Sequence, residues 1–133
     1  MATITGSTNS SLWAFKMVTT EGNYSIANNT SPLTVDVYVG RTSSAGSYME
    51  GANISCTVGC TGCTSQTFTY RNTGRVNISA GGWLKIGSVT FGAVPHNTDG
   101  SKTVYVSASF SQPTVKPTSG SAAGNVTLTT IPR

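Results

Sequence analysis

The chain has 133 residues, a charged fraction of 9% and a formal net charge of +4; that is the size of one domain, at a charge density far below the roughly 25% of ordinary soluble domains. Its cations, from Lys16 and Arg41 to Lys116 and Arg133, are scattered singly, which argues against the clustered basic footprint of a nucleic-acid binder. The first residues lack the basic and apolar regions of a secretion signal, and no stretch approaches membrane-spanning length. We therefore expect neither nucleic acid nor membrane insertion.

Residues 11–18 (SLWAFKMV) place Trp13, Phe15 and Met17 on one face and predict the first strand. A turn at Glu21-Gly22-Asn23 leads through Tyr24 and Ile26 to a polar corner at 27–32, where Pro32 is expected at a strand entrance. Leu33, Val35, Val37 and Val39 then alternate with Thr34, Asp36 and Tyr38, a half-buried strand. After a loop at 41–46, Ala52, Ile54, Cys56 and Val58 mark a third strand. Residues 64–71 and 75–80 flank Asn72-Thr73-Gly74 as a hairpin, with Phe68 and Tyr70 facing Val76 and Ile78.

From Trp83 the inner phase runs through Leu84 and Ile86, then shifts to Val89 and Phe91, which predicts a β-bulge beside Gly87. His96, Asn97, Asp99 and Gly100 form a structural turn, expected to be a hairpin because Asp99-Gly100 tolerates positive φ. It feeds a strand with Val104, Val106, Ala108 and Phe110 inside and Thr103, Tyr105, Ser107 and Ser109 outside. Two prolines make 111–120 a loop, and 122–131 closes the domain with Val126 and Leu128 inward. No segment carries a helical period. Short strands with turn signals roughly every 8–12 residues predict an all-β sandwich or barrel, and we prefer a single Ig-like antiparallel β-sandwich of about eight strands over residues 1–133. Its core would hold Trp13, Phe15, Val35, Val37, Leu84, Ile86, Val104, Val106 and Leu128.

Three motifs, SIANNTS at 25–31, VPHNTDGSK at 94–102 and LTTIPR at 128–133, occur in this order. The set resembles a family of structural proteins from tailed phages of Gram-positive bacteria, siphoviruses of streptococci in particular. The resemblance covers nearly the whole chain but not residues 41–70, which carry none of its motifs. It implies Ig-like β domains and a virion location: made in the host cytoplasm and exposed outside the cell after assembly. The implied partners are other virion proteins or copies of the chain, as a homo-oligomer. In such proteins the IPR motif often leads into a further module, so the chain is either one module of a longer protein or a short member.

The residues themselves offer little chemistry. Cys56, Cys60 and Cys63 have a C-x3-C-x2-C spacing, which an iron–sulfur cluster would use only within a much larger α/β barrel. Zinc needs a fourth ligand, and the single histidine, His96, is distant in sequence. No cofactor is expected. Three cysteines permit one internal bond at most: free apolar thiols, a Cys60–Cys63 disulfide and an intersubunit bond all remain open. His96 beside Asp99 invites comparison with a catalytic pair, but in a tight turn the imidazole is expected to bond loop backbone. Glu21, Asp36, Glu50 and Asp99 are too dispersed to predict a glycosidase pair, and we expect no enzyme. The outward aromatics Tyr38, Tyr48, Trp83 and Tyr105 are candidate subunit contacts or glycan-stacking platforms. The second function to weigh is thus a host-attachment module recognising wall glycan through these rings and through loops at 41–48 and 56–64.

Overall fold

The computed structural model describes residues 2–42, 53–71, 78–112 and 117–133. Its strands are β1 (Ala2–Thr5), β2 (Ser7–Thr8), β3 (Trp13–Glu21), β4 (Thr30–Arg41), β5 (Asn53–Cys60), β6 (Gln66–Arg71), β7 (Trp83–Pro95), β8 (Thr103–Ser111) and β9 (Ser119–Thr127). They form an Ig-like antiparallel β-sandwich of two sheets, one in the order β1-β3-β4-β7 and one in the order β2-β9-β8-β5-β6. Neighbours in sequence are not always neighbours in space. β3 and β4 form a hairpin within the first sheet, whereas β7 and β8 belong to different sheets.

Alternation decides which side of each strand faces the other sheet. Leu33, Val35, Val37 and Val39 of β4 are fully buried, as are Phe15 and Met17 of β3 and Val104 and Val106 of β8. The rings of Phe15 and Phe110 meet between the sheets at 5.1 Å, tilted by 47°, within the range of favourable aromatic pairs. All the expected core residues are buried except Leu84, which is half-buried at the rim.

The bulge expected beside Gly87 is present. Val37 pairs with Gly87 and Tyr38 with Lys85, so Ile86 is the extra residue and turns inward. The ring of Phe68 on β6 fills the space beside Gly87, where a Cβ would lie 2.3 Å from it. Gln66 of β6 also donates its side-chain amide to the Thr90 carbonyl on β7 at 3.1 Å. These two contacts close one flank of the sandwich.

Four expectations are corrected. Residues 11–18 are not the first strand: the chain opens with β1 and β2, which have only Ile4 as a large apolar residue and little alternation to reveal them. Pro32 lies inside β4, at a second register shift between Ser31 and Leu33, where the ladder skips it and its missing N–H costs nothing. The strand expected at 64–71 begins only at Gln66, as β6, and lies beside β5. Residues 78–80 are not strand, and Asn72, Thr73, Gly74 and Val76 lie outside the described residues. Finally, the turn at 96–100 joins two sheets and is not a hairpin.

The N-terminal segment switches sheets at Gly6. β1 pairs with β3, β2 pairs with β9, and between them the Gly6 N–H donates to the Phe15 carbonyl at 2.8 Å. A Cβ at Gly6 would lie 1.9 Å from the Ser121 carbonyl oxygen, a backbone atom that cannot step aside alone. Gly6→Ala should therefore lower the unfolding free energy in urea by about 2–3 kcal/mol, in the range of overpacking changes. Gly92→Ala, where nothing lies within 4 Å of the added carbon, should stay within about 0.5 kcal/mol of the parent.

Candidate functional site

The three motifs that are far apart in sequence meet at one end of the sandwich. His96 follows β7, and its ring reaches both ways: Nδ1 lies 2.7 Å from the Gly100 carbonyl oxygen and Nε2 lies 2.7 Å from the Ser31 hydroxyl. A carbonyl can only accept, so Nδ1 carries the proton; in the neutral ring Nε2 then accepts from Ser31. Asn29, in the left-handed region at φ 55°, turns its amide to donate to the carbonyls of His96 at 3.2 Å and Asn97 at 2.8 Å. The His96 N–H returns a bond to the Asn29 carbonyl at 2.9 Å.

The C-terminal segment docks on the other side of this turn. Gly100 has φ 87°, and a Cβ there would strike the Ile131 carbonyl at 1.9 Å, so only glycine allows the approach. The Ile131 N–H donates to the Gly100 carbonyl and the Leu128 N–H to the Lys102 carbonyl, both at 2.9 Å. Arg133 reaches back to the Ile26 carbonyl at 2.6 Å, and the Glu21 carboxylate accepts from the Thr129 N–H and hydroxyl at 2.9–3.0 Å. Each motif thus touches both of the others. Asp99 serves the turn alone: its carboxylate accepts from the Ser101 hydroxyl at 2.6 Å and N–H at 3.0 Å, and these bonds hold its pKa below the ordinary value.

Ser31 and His96 have the reach of a nucleophile and its base. However, Ser31 has no exposed surface, its base is oriented by a backbone carbonyl, and Asp99 is turned away to Ser101. The pair is placed to hold chain segments together. A shallow concavity of about 410 Å³ beside the junction is lined by Glu21, Gly22, Asn23, Tyr24 and Thr129, with the one carboxylate already engaged by Thr129. No group of three or more His, Cys, Asp or Glu side chains among the described residues is placed to hold a metal ion.

The outward aromatics do not form one platform. Tyr38 and Trp83 lie on the outer face of the four-stranded sheet, Tyr105 lies on the outer face of the other, and Tyr48 is outside the described residues. Lys16 stands opposite Tyr38, which stands opposite Lys85; in the next row Ala14 faces Gly40, which faces Trp83. The indole lies over Gly40, where a Cβ would come within 2.6 Å of it. The Lys16 ammonium sits 4.2 Å from the Trp83 ring centre and 5.2 Å from that of Tyr38, within cation–π range. Lys85 instead pairs with Asp36 at 3.1 Å, and Ser88 donates to the same carboxylate at 2.8 Å. This grouping was not readable from sequence, because it depends on which strands pair and in what register.

The opposite face is chemically different. Thr67, Thr57, Ser109, Ser121 and Ser7 stand abreast on five adjacent strands, all exposed. Hydroxyls bridge neighbouring strands at Thr57–Thr67 (3.0 Å) and Thr103–Thr127 (3.2 Å). Within the strands of that sheet the one charged residue is Arg71, at the end of β6. Tyr105, 52% exposed and opposite Asn125, is the large ring on this lawn. Of the expected contact loops, 43–48 lies outside the described residues, and Arg41 is buried against Trp13, 5.8 Å from its ring centre.

Comparison with known proteins adds no family: no family model, curated protein or solved structure matches the chain.

The cysteines divide. Cys60 and Cys63 are joined by a disulfide across the turn after β5, and Cys56 is a free, buried thiol. Burial pushes the Cys56 pKa from 9.0 up to about 12, against a smaller downward pull from a backbone hydrogen bond at Ser109. The sign follows from linkage: the folded state keeps the proton that the unfolded chain releases above its own pKa. This contribution to stability is complete below about pH 9 and is lost as pH rises towards about 12. In urea melts, the stability advantage of the parent over Cys56→Ala should shrink across that window. An advantage that stays constant to pH 11 would contradict a buried neutral thiol.

Proposed function

We propose that the chain is a non-enzymatic structural module of a tailed-phage virion, a tail, fibre or surface-decoration component that self-associates or docks on the particle. The observation that carries this reading is the convergence of the three phage-like motifs. Chance matches have no reason to meet in space, whereas Asn29, Ser31, His96, Gly100, Ile131 and Arg133 build one junction. A reading through packing also suits the chemistry. Glu21, His96, Asp99 and Arg133 are spent on internal bonds, and the hydroxyl face of the five-stranded sheet brings little charge to a contact between copies. With a net charge of +4, copies repel least through that face.

A second reading, attachment to wall glycan, is favoured by one specific observation: an exposed indole held beside an ammonium on the outer face of the four-stranded sheet. The two uses occupy opposite faces and are compatible in one particle.

Antibodies raised against the purified chain should decorate intact, purified phage particles of the encoding virus in negative-stain microscopy. Labelling confined to lysed host cytoplasm, with clean particles bare, would overturn the virion reading.

A further inference from the structure

We propose that the outer face of the four-stranded sheet around Lys16, Tyr38 and Trp83 binds a saccharide carrying a phosphate or phosphodiester group. The inference rests on the glycan reading above and names the ligand class that this site would take.

Two lysines flank Tyr38 in the same row across β3, β4 and β7, and they are not equivalent. Lys85 is neutralised by Asp36. Lys16 has no carboxylate partner among the described residues, and its ammonium is held by two ring faces. Aromatic rings orient a cation without cancelling its charge. The result is an ammonium on a half-buried residue, held in position with no carboxylate against it among the described residues. A compact ammonium suits phosphate as a point charge, whereas a carboxylate is better matched by the planar fork of arginine.

Beside this cation, Trp83 keeps 39% of its surface exposed although its ring lies over Gly40. The part of the indole left open between Gly40 and Lys16 offers apolar surface to the C–H groups of a pyranose, and the neighbouring Tyr38 phenol fits its polar rim. Charge complementarity selects the anion, and the adjoining apolar ring selects a sugar over a bare ion. A purely neutral sugar would leave the Lys16 charge unanswered.

The test uses the whole chain labelled with nitrogen-15 and follows the two indole N–H signals, with buried Trp13 as the internal reference. The probes are glucose 1-phosphate, glucose and inorganic phosphate, titrated separately. Glucose 1-phosphate should shift the Trp83 signal saturably and leave Trp13 in place. It should bind about tenfold or more tightly than either fragment, as expected for one added charge-assisted bond. Lys16→Gln should lose about that factor while its remaining spectrum and melting temperature stay close to the parent.

Glucose binding as well as its phosphate, with no effect of Lys16→Gln, would sustain glycan attachment and overturn the anionic ligand. Inorganic phosphate binding as tightly as glucose 1-phosphate would reduce the site to a bare anion contact and overturn the saccharide. No saturable shift with either sugar would overturn both this proposal and the glycan reading.

Discussion

The imidazole of His96 is the point at which three stretches of chain become one structure. It takes a hydroxyl from the strand that begins β4 and gives its proton to the carbonyl of the turn that ends before β8. That turn in turn receives the C-terminal segment through Gly100. One of the chain's crossings between the sheets, from β7 to β8, happens here, so the junction fixes that connection. A side chain with a donor on one side and an acceptor on the other is needed, and in its neutral form histidine supplies both. Glycine at position 100 is needed for a separate reason, the close approach of the Ile131 backbone.

Outside this junction the fold is governed by alternation, and alternation was legible. β3, β4, β5 and β8 each carry a period of two with β-branched or aromatic residues inside, and the phase slip at Ile86-Gly87 revealed its bulge in advance. What escaped is equally physical. β1 and β2 are short edge elements with few apolar residues, so no period develops. Pro32 reads as a boundary until a bulge provides a place where its missing donor is harmless. An Asp-Gly turn looks the same whether the next strand pairs with the last or crosses to the opposite sheet. The sequence pattern is local, while sheet membership is decided by packing.

The same limit applies to the candidate sites. The roles of His96, Asn97, Asp99 and Gly100 as turn residues could be expected from their types, but the partners at Ser31, Asn29 and Ile131 could not. Tyr38 and Trp83 were identifiable as outward rings, yet their union through Lys16 appears only once β3, β4 and β7 are in register. The low charge content of the chain also acquires a distribution. Lys16, Asp36 and Lys85 share the outer face of one sheet, and the other presents serine and threonine with Arg71 at its margin. One face can discriminate by charge; the other can meet a neutral surface or a second copy without repulsion.

The central claim is that the three motifs act as one cooperative unit, and native-state hydrogen exchange addresses it most directly. The amides of His96 and Gly100 belong to one segment and those of Leu128 and Ile131 to another, and all four are bonded within the junction. They should exchange with a common opening free energy, and Ser31→Ala, which removes one of the ring's two partners, should lower all four together. Fast exchange at Leu128 and Ile131 beside slow exchange at His96 and Gly100, unaffected by the substitution, would contradict the account and leave three independent turns.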